Sequence, residues 1–169
     1  MSTRRSHSEP LPDRPSIPSS YGIDSAPEGM LDWGEVAARL TDARNYWVCT
    51  TRPDGSPNAT LVWGLWVEGS FYFFTDRASR KARNIGSIPR VVVHLESGDD
   101  VAILEGDAEA VTGEDLLVRL ADAYEAKYGF RPEGNTANSV AYQVRPRKAF
   151  AWHEGNFPRS ATRWRFERQ

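Results

Sequence analysis

Apolar positions along the chain fall into short runs of β-branched and aromatic residues separated by clusters of turn residues, a pattern typical of β-strands. Strands are predicted over 46–52, 57–66 and 70–75. The segments between them, 53–56 and 68–69, have the composition of tight turns. We therefore expect these three strands to form an antiparallel meander joined by hairpins.

Three other segments repeat their apolar residues at the spacing of a helix. The first covers 31–44 with Asp32 as N-cap, the second covers 78–87 and ends before Pro89, and the third covers 113–128. Further strands are predicted over 90–96, 101–112, 139–144, 148–153 and 161–166, with a break at Pro146. About eight strands in mostly antiparallel order with three helices predict an α+β fold, mainly β, that closes into a barrel.

The first 29 residues differ in composition from the rest of the chain. They contain many serines, few apolar residues and five prolines, at positions 10, 12, 15, 18 and 27. Such a composition buries too little apolar surface to offset the entropy of folding. We predict a disordered arm over 1–29 and a folded domain over 30–169.

The overall composition is that of one ordinary soluble domain: 169 residues, 40% of them hydrophobic, with a net charge of -2 and a pI of about 5.9. This balance gives no reason to expect a nucleic-acid or membrane partner. No apolar run approaches the roughly 18 residues of a transmembrane helix. No apolar segment follows Arg4 and Arg5 either, so no secretory signal is recognised and a cytoplasmic location is expected by default.

The segment with the clearest chemical character lies where the third strand is followed by its helix. The strand ends at Thr75, and the first turn of the predicted helix holds Ser79, Arg80 and Lys81. The start of a helix has free N–H donors and a partial positive charge, so it attracts anions, and two cations strengthen that attraction. A solvated basic helix face is the alternative interpretation. No His/Cys cluster has the spacing of metal ligands, so no metal site is predicted.

Several stretches in this order resemble the pyridoxamine 5′-phosphate oxidase-like superfamily. They are Phe74-Thr75 followed by Ser79-Arg80-Lys81, then 88–93, then 104–111 with its Glu-Gly-x-Ala pattern. The resemblance extends over about 46–166. Trp63-Gly64-Leu65-Trp66 and the tail over 157–166 are most similar to the flavin/deazaflavin oxidoreductase branch. The Arg-Leu-His substrate motif of true pyridoxamine-phosphate oxidases has no counterpart, which speaks against vitamin B6 oxidation.

The resemblance implies a split β-barrel that forms a homodimer, with a cofactor site at each side of the interface. It implies FMN or the deazaflavin coenzyme F420 as cofactor, while some members bind haem-derived ligands. Carried over by position, the phosphate would be held by Ser79, Arg80 and Lys81, with Thr75 donating nearby. Asn84 could reach the same region, or cap the helix, or face solvent.

The resemblance also places the strand of Val62, Trp63 and Gly64 against the ring of the cofactor. Gly64 would permit a close ligand approach, form a bulge, or simply allow packing. Trp63 and Trp66 are three positions apart and point to opposite faces, so one is expected in the core and the other at the site or the dimer contact. Trp152 and Arg159, in the C-terminal region, would reach the cofactor across the dimer interface, and burial in the core is the alternative for Trp152.

These expectations lead to an oxidoreductase that transfers a hydride between bound F420 or FMN and a small organic acceptor. The cofactor itself supplies that chemistry, so no catalytic side chain is predicted. His153, next to Glu154, is a weaker candidate for an acid or base. The alternative is a non-catalytic flavin- or tetrapyrrole-binding protein on the same scaffold.

Overall fold

The structure, a computed structural model, describes residues 9–167. In that range its strands are β1 (Leu11–Asp13), β2 (Tyr46–Thr51), β3 (Pro57–Val62), β4 (Leu65–Val67), β5 (Ser70–Asp76), β6 (Arg90–His94), β7 (Asp100–Ala110), β8 (Ser139–His153) and β9 (Thr162–Arg165). Its helices are α1 (Trp33–Asp42), α2 (Arg80–Ser87), α3 (Glu114–Tyr128) and α4 (Phe157–Ser160). None of these helices is long and apolar enough to cross a membrane.

The strands form one antiparallel sheet that branches at β8. The order along the main path is β1-β9-β8-β7-β6-β2-β3. The first part of β8 also pairs with β5, which in turn pairs with β4. β7 runs beside β8 for most of its length, so the sheet curls around a shared interior. This arrangement is the split barrel of a mainly β α+β protein, and it confirms the predicted fold class.

Both hairpins of the predicted meander form, but the strand predicted over 57–66 is interrupted at Trp63 and Gly64 and divides into β3 and β4. β2 and β3 do form a hairpin, with Gly55 in the left-handed conformation at its turn. β5 pairs with β4 across the turn at Glu68 and Gly69, as predicted, and its other edge pairs with β8. Turn residues specify a hairpin locally, but they cannot show which strand β5 will meet across the barrel. The six-residue ladder with β8 decides that pairing.

The predicted break at Pro146 is also wrong, because β8 continues through that residue. Glu105 pairs with Lys148 and Gly106 pairs with Pro146, so Arg147 is the extra residue of a β-bulge on β8 next to the proline, where a missing ladder N–H is tolerated. A Cβ on Gly106 would lie 2.2 Å from the backbone oxygen of Arg145, so the close approach of the two strands requires glycine.

The interior of the barrel is filled by side chains from both the sheet and the first helix. Val36 and Leu40 of α1 are fully buried there, and Asp32 caps the helix by accepting from the N–H of Gly34 at 2.8 Å. A second apolar cluster lies beneath α3 and includes Leu120 and Tyr124. This cluster holds the last turn of α3 close to the link between β3 and β4.

Part of the N-terminal segment is ordered against the barrel, in contrast to the disordered arm predicted over 1–29. β1 pairs with β9, and the Asp13 carboxylate accepts two hydrogen bonds from Arg163. The guanidinium of Arg14 donates to four backbone oxygens, those of Ala26, Glu28, Arg159 and Ala161. Composition could not reveal these long-range contacts. Residues 1–8 lie outside the described residues, and the domain boundary at 29/30 stays a prediction.

Candidate functional site

The chain turns sharply between the end of β5 and the start of α2. The carboxylate of Asp76 accepts from the N–H of Ala78 at 2.6 Å, and its backbone oxygen accepts from the N–H of Ser79 at 3.0 Å. Ser79 is the N-cap of α2, and its hydroxyl accepts from the N–H of Ala82 at 3.3 Å. The hydroxyls of Thr75 and Ser79 lie 3.1 Å apart. Two predicted site residues therefore meet at the helix start.

The next two residues are cations that lack a carboxylate partner. Arg80 is exposed and Lys81 is half-buried, and neither takes part in the ion pairs formed among residues 9–167. Burial lowers the pKa of Lys81 from 10.5, and the nearby charge of Asp76 opposes that shift only in part. A half-buried, unpaired ammonium beside a helix N-terminus fits an anionic ligand better than a solvated basic face.

Asn84 has a different environment from the one that the sequence suggested. It is 1% exposed, and its amide nitrogen donates to the hydroxyl of Thr50 at 2.9 Å. The contact ties α2 to β2 inside the barrel. The amide oxygen of Asn84 is buried without a partner among the described residues. Asn84 therefore anchors the helix, and neither capping nor solvent exposure describes it.

A cavity of about 310 Å³ opens beside Lys81, between β3, β5, α2 and α3. Its lining consists of Leu61, Val62, Trp63, Phe74, Lys81 and Tyr124. The volume is at the lower end of the range for small-molecule sites. The structure thus places Val62, Trp63, Phe74 and Tyr124 around one cavity with Lys81, and the contact of Val62 and Trp63 with a cofactor ring stays a prediction.

Gly64 sits just behind this cavity and is held by the last turn of α3. Its N–H donates to the hydroxyl of Tyr128 at 3.0 Å, and its backbone oxygen accepts from Nζ of Lys127 at 3.3 Å. A Cβ at this position would lie 2.3 Å from the ring of Phe71 and 2.8 Å from the backbone oxygen of Tyr72. Of the alternatives left open by the sequence, the structure favours a packing glycine.

Trp63 and Trp66 point to opposite sides, as predicted. Trp66 packs edge-on against Trp33 with ring centroids 6.0 Å apart, next to the core. Trp63 is 37% exposed and lines the cavity. Its ring is nearly parallel to that of Tyr128, at 3° and 4.8 Å between centroids. The sequence suggested Tyr124 only as an apolar helix position, and the i, i+4 pair of tyrosines on α3 was the available signal.

The remaining candidate residues lie elsewhere on the chain. Trp152 packs edge-on against Phe157, and Arg159 forms an ion pair at 3.8 Å with Asp24. Both nitrogens of the His153 ring face carboxylates, at 2.7 Å from Asp100 and 3.2 Å from Glu35. None of these side chains lines the cavity beside Lys81. A role for Trp152 or Arg159 at the site would therefore require a second copy of the chain.

Taken together, the fold and the site define a split-barrel protein with a candidate anion site next to an aromatic cavity. The family model described as pyridoxamine 5′-phosphate oxidase matches residues 33–153, and the chain belongs to this family. No curated protein sequence matches the chain.

Solved structures share the fold at low sequence identity. The conserved hypothetical protein Rv2991 from Mycobacterium tuberculosis is 25% identical over 75% of this chain and 87% of its own, with a TM-score of 0.65. An F420 reductase is 23% identical over 72% of this chain and 95% of its own, with a TM-score of 0.54. The heme storage protein HutZ from Vibrio cholerae is 14% identical over 68% of this chain and 87% of its own, with a TM-score of 0.55. One fold therefore serves proteins with different ligands.

Proposed function

We propose that this protein is an oxidoreductase that transfers a hydride between bound F420 or FMN and a small organic acceptor. The observation that carries the proposal is that Arg80 and Lys81, at the start of α2 and beside an aromatic cavity, form no ion pair among residues 9–167. Both cofactors combine a phosphate with a flat ring, which matches these two features. The cofactor, when bound, supplies the redox chemistry.

The residues of this chain would bind and orient the cofactor. Arg80 offers a planar fork to the phosphate oxygens, and Lys81 adds a point charge with less competition from water. The hydroxyls of Thr75 and Ser79 are in place to share in the same contact. The cavity walls at Val62 would contact the ring and exclude water from it. The cytoplasm is the expected location.

The proposal includes a homodimer. Trp152 and Arg159 do not line the cavity of their own chain, so they would complete the site only from a second copy. Leu61 is 43% exposed at the edge of the cavity, and an interface there would cover it. Size-exclusion chromatography with light scattering measures the oligomeric state. A monomer at all concentrations would remove this part of the proposal.

A tetrapyrrole-binding protein is the alternative, because HutZ has the same fold. The two histidines within residues 9–167 give it little support. His94 contacts the backbone oxygen of Leu95 through Nδ1, and both nitrogens of His153 face carboxylates. Neither ring lines the cavity beside Lys81. The proposal therefore favours the flavin or deazaflavin over haem.

The test begins with the absorption spectrum of the purified protein and fluorescence titrations with FMN and F420. The reduced form of the cofactor that binds is then mixed anaerobically with quinones, and its reoxidation is followed. We expect tight binding of one cofactor and hydride transfer to at least one acceptor. Binding without transfer would favour a binding protein, and a haem spectrum with no flavin binding would contradict the proposal.

A further inference from the structure

The exposed indole of Trp63 is held in a fixed orientation. Tyr128 lies flat against it, and the hydroxyl of Tyr128 is within 2.8 Å of the backbone oxygen of Gly64 and 2.7 Å of that of Arg44. The anchored tyrosine therefore keeps the indole from rotating away. A large aromatic side chain that is both exposed and preorganised is a suitable surface for stacking a second flat ring.

A cationic side chain lies beside this indole. The guanidinium of Arg44 lies 5.2 Å from the centre of the Trp63 ring, in the range of a cation–π contact. Arg44 takes part in none of the ion pairs among residues 9–167. The cavity lining contains Lys81 and no acidic side chain. Arg44 and Lys81 would attract a negatively charged group at this rim, and the charge of Asp76 near Lys81 opposes part of that attraction.

Tyr124 adds a hydrogen-bond donor to the same cavity. Its side chain is 6% exposed and lines the cavity, and its hydroxyl has no hydrogen-bond partner among residues 9–167. Burial raises the pKa of Tyr124 to about 12, so the hydroxyl keeps its proton at every physiological pH. A ligand oxygen could accept from it.

We propose that Trp63, Tyr124 and Arg44 form an acceptor subsite that selects a planar conjugated molecule bearing one anionic group. The flat part stacks on Trp63, an oxygen accepts from Tyr124, and the anion pairs with Arg44. The assignment rests on the proposed function, since it names the substrate class of that site. It also makes a separate claim about binding, because a planar anion is preferred over a neutral molecule of the same shape.

The experiment compares two probes that differ only in charge, naphthalene-2-carboxylate and naphthalene-2-carboxamide. Isothermal titration calorimetry measures both dissociation constants with and without bound cofactor. The proteins are wild type, Arg44→Met, Trp63→Leu and the control Arg119→Met, which removes an exposed arginine paired with Glu68 outside the cavity. Thermal unfolding verifies that each variant is folded.

We expect the carboxylate to bind wild type about tenfold more tightly than the carboxamide, as for a charge-assisted contact at a partly exposed site. Arg44→Met should abolish that preference, and Trp63→Leu should weaken both probes by a similar factor. Arg119→Met should behave like wild type. Because Arg44 is exposed, its replacement leaves the core intact even if Trp63→Leu fails to fold.

Equal affinity for the two probes, no binding of either, or a preference that survives Arg44→Met would overturn the subsite. Cofactor titration of the same preparations distinguishes this failure from failure of the proposed function. A carboxylate preference without cofactor binding keeps the planar-anion site and removes the oxidoreductase. Cofactor binding without the carboxylate preference removes the planar-anion site and keeps the proposed oxidoreductase.

Discussion

The packing at Gly64 gives a sharp test of how the cavity wall is positioned. In Gly64→Ala, the new methyl group would lie 2.3 Å from the ring of Phe71 and 2.8 Å from the backbone oxygen of Tyr72. The Phe71 ring is fully buried, so it cannot swing into solvent to make room. The link between β3 and β4 has to move instead, and Trp63 moves with it.

The size of the effect follows from two opposing terms. Overpacking a core costs about 1–3 kcal/mol, and contact with both a buried ring and a backbone oxygen places this site at the upper end. Alanine also has less conformational freedom than glycine in the unfolded chain, which stabilises the folded state by about 0.4–1 kcal/mol. We expect a net loss of roughly 2 kcal/mol, which lowers the Tm of a domain this size by about 4–8 °C.

Differential scanning calorimetry and urea unfolding measure this loss directly. Gly86→Ala in α2 is the matched control, because a Cβ there meets nothing within 4 Å. It should gain up to about 1 kcal/mol from the higher helix propensity of alanine. Equal stability of Gly64→Ala and wild type would refute the described packing, and with it the fixed position of the Trp63 wall.

Three further predictions concern charge and hydrogen bonding. Burial lowers the pKa of Lys81 from 10.5, so cofactor affinity should fall as pH rises through that lowered value, and fluorescence titration of Lys81→Met should show no such fall. Tyr128→Phe removes the hydroxyl that accepts from Gly64, so urea unfolding should show a loss of about 1–3 kcal/mol. Hydrogen bonding to Arg163 lowers the pKa of Asp13 below 3.8. The Asp13 carboxylate therefore stabilises the folded protein above pH 3.8, and this stabilisation is lost as the pH falls through the lowered pKa. Asp13→Asn should therefore speed amide exchange in β1 at neutral pH, with a cost below about 1 kcal/mol for this partly exposed pair; unchanged exchange would contradict it.

Local sequence patterns predicted most of the elements and their ends. Asp32 caps α1 as predicted, because a cap depends on residues only a few positions away, whereas Ser79 was predicted in the first turn of α2 and is its N-cap. The pairing of β5 with β8 and the continuity of β8 through Pro146 could not be predicted. Both depend on pairing with strands distant in sequence, and the bulge next to Pro146 forms only where β8 pairs with β7.

In the candidate site too, features that depend on neighbouring residues could be predicted, and contacts between distant residues could not. The turn at Ser79 and Lys81 could be predicted because the strand end, the hydroxyl and the cations follow one another closely in the sequence. Tyr128 could not be assigned to the site, since its hydroxyl meets a residue 64 positions away. Likewise, no local pattern around Arg14 indicated that its guanidinium would bind backbone oxygens near the C-terminus, those of Arg159 and Ala161.

The most direct test of the account asks whether Lys81 and Arg80 recognise a phosphate. Dissociation constants are measured for FMN against riboflavin and for F420 against its phosphate-free deazaflavin, with wild type and with the variant Arg80→Met/Lys81→Met. The account predicts that wild type binds one phosphate-bearing cofactor at least about tenfold more tightly than its phosphate-free counterpart, and that the variant loses this ratio while still binding the bare ring. A ratio that is unchanged in the variant would contradict it.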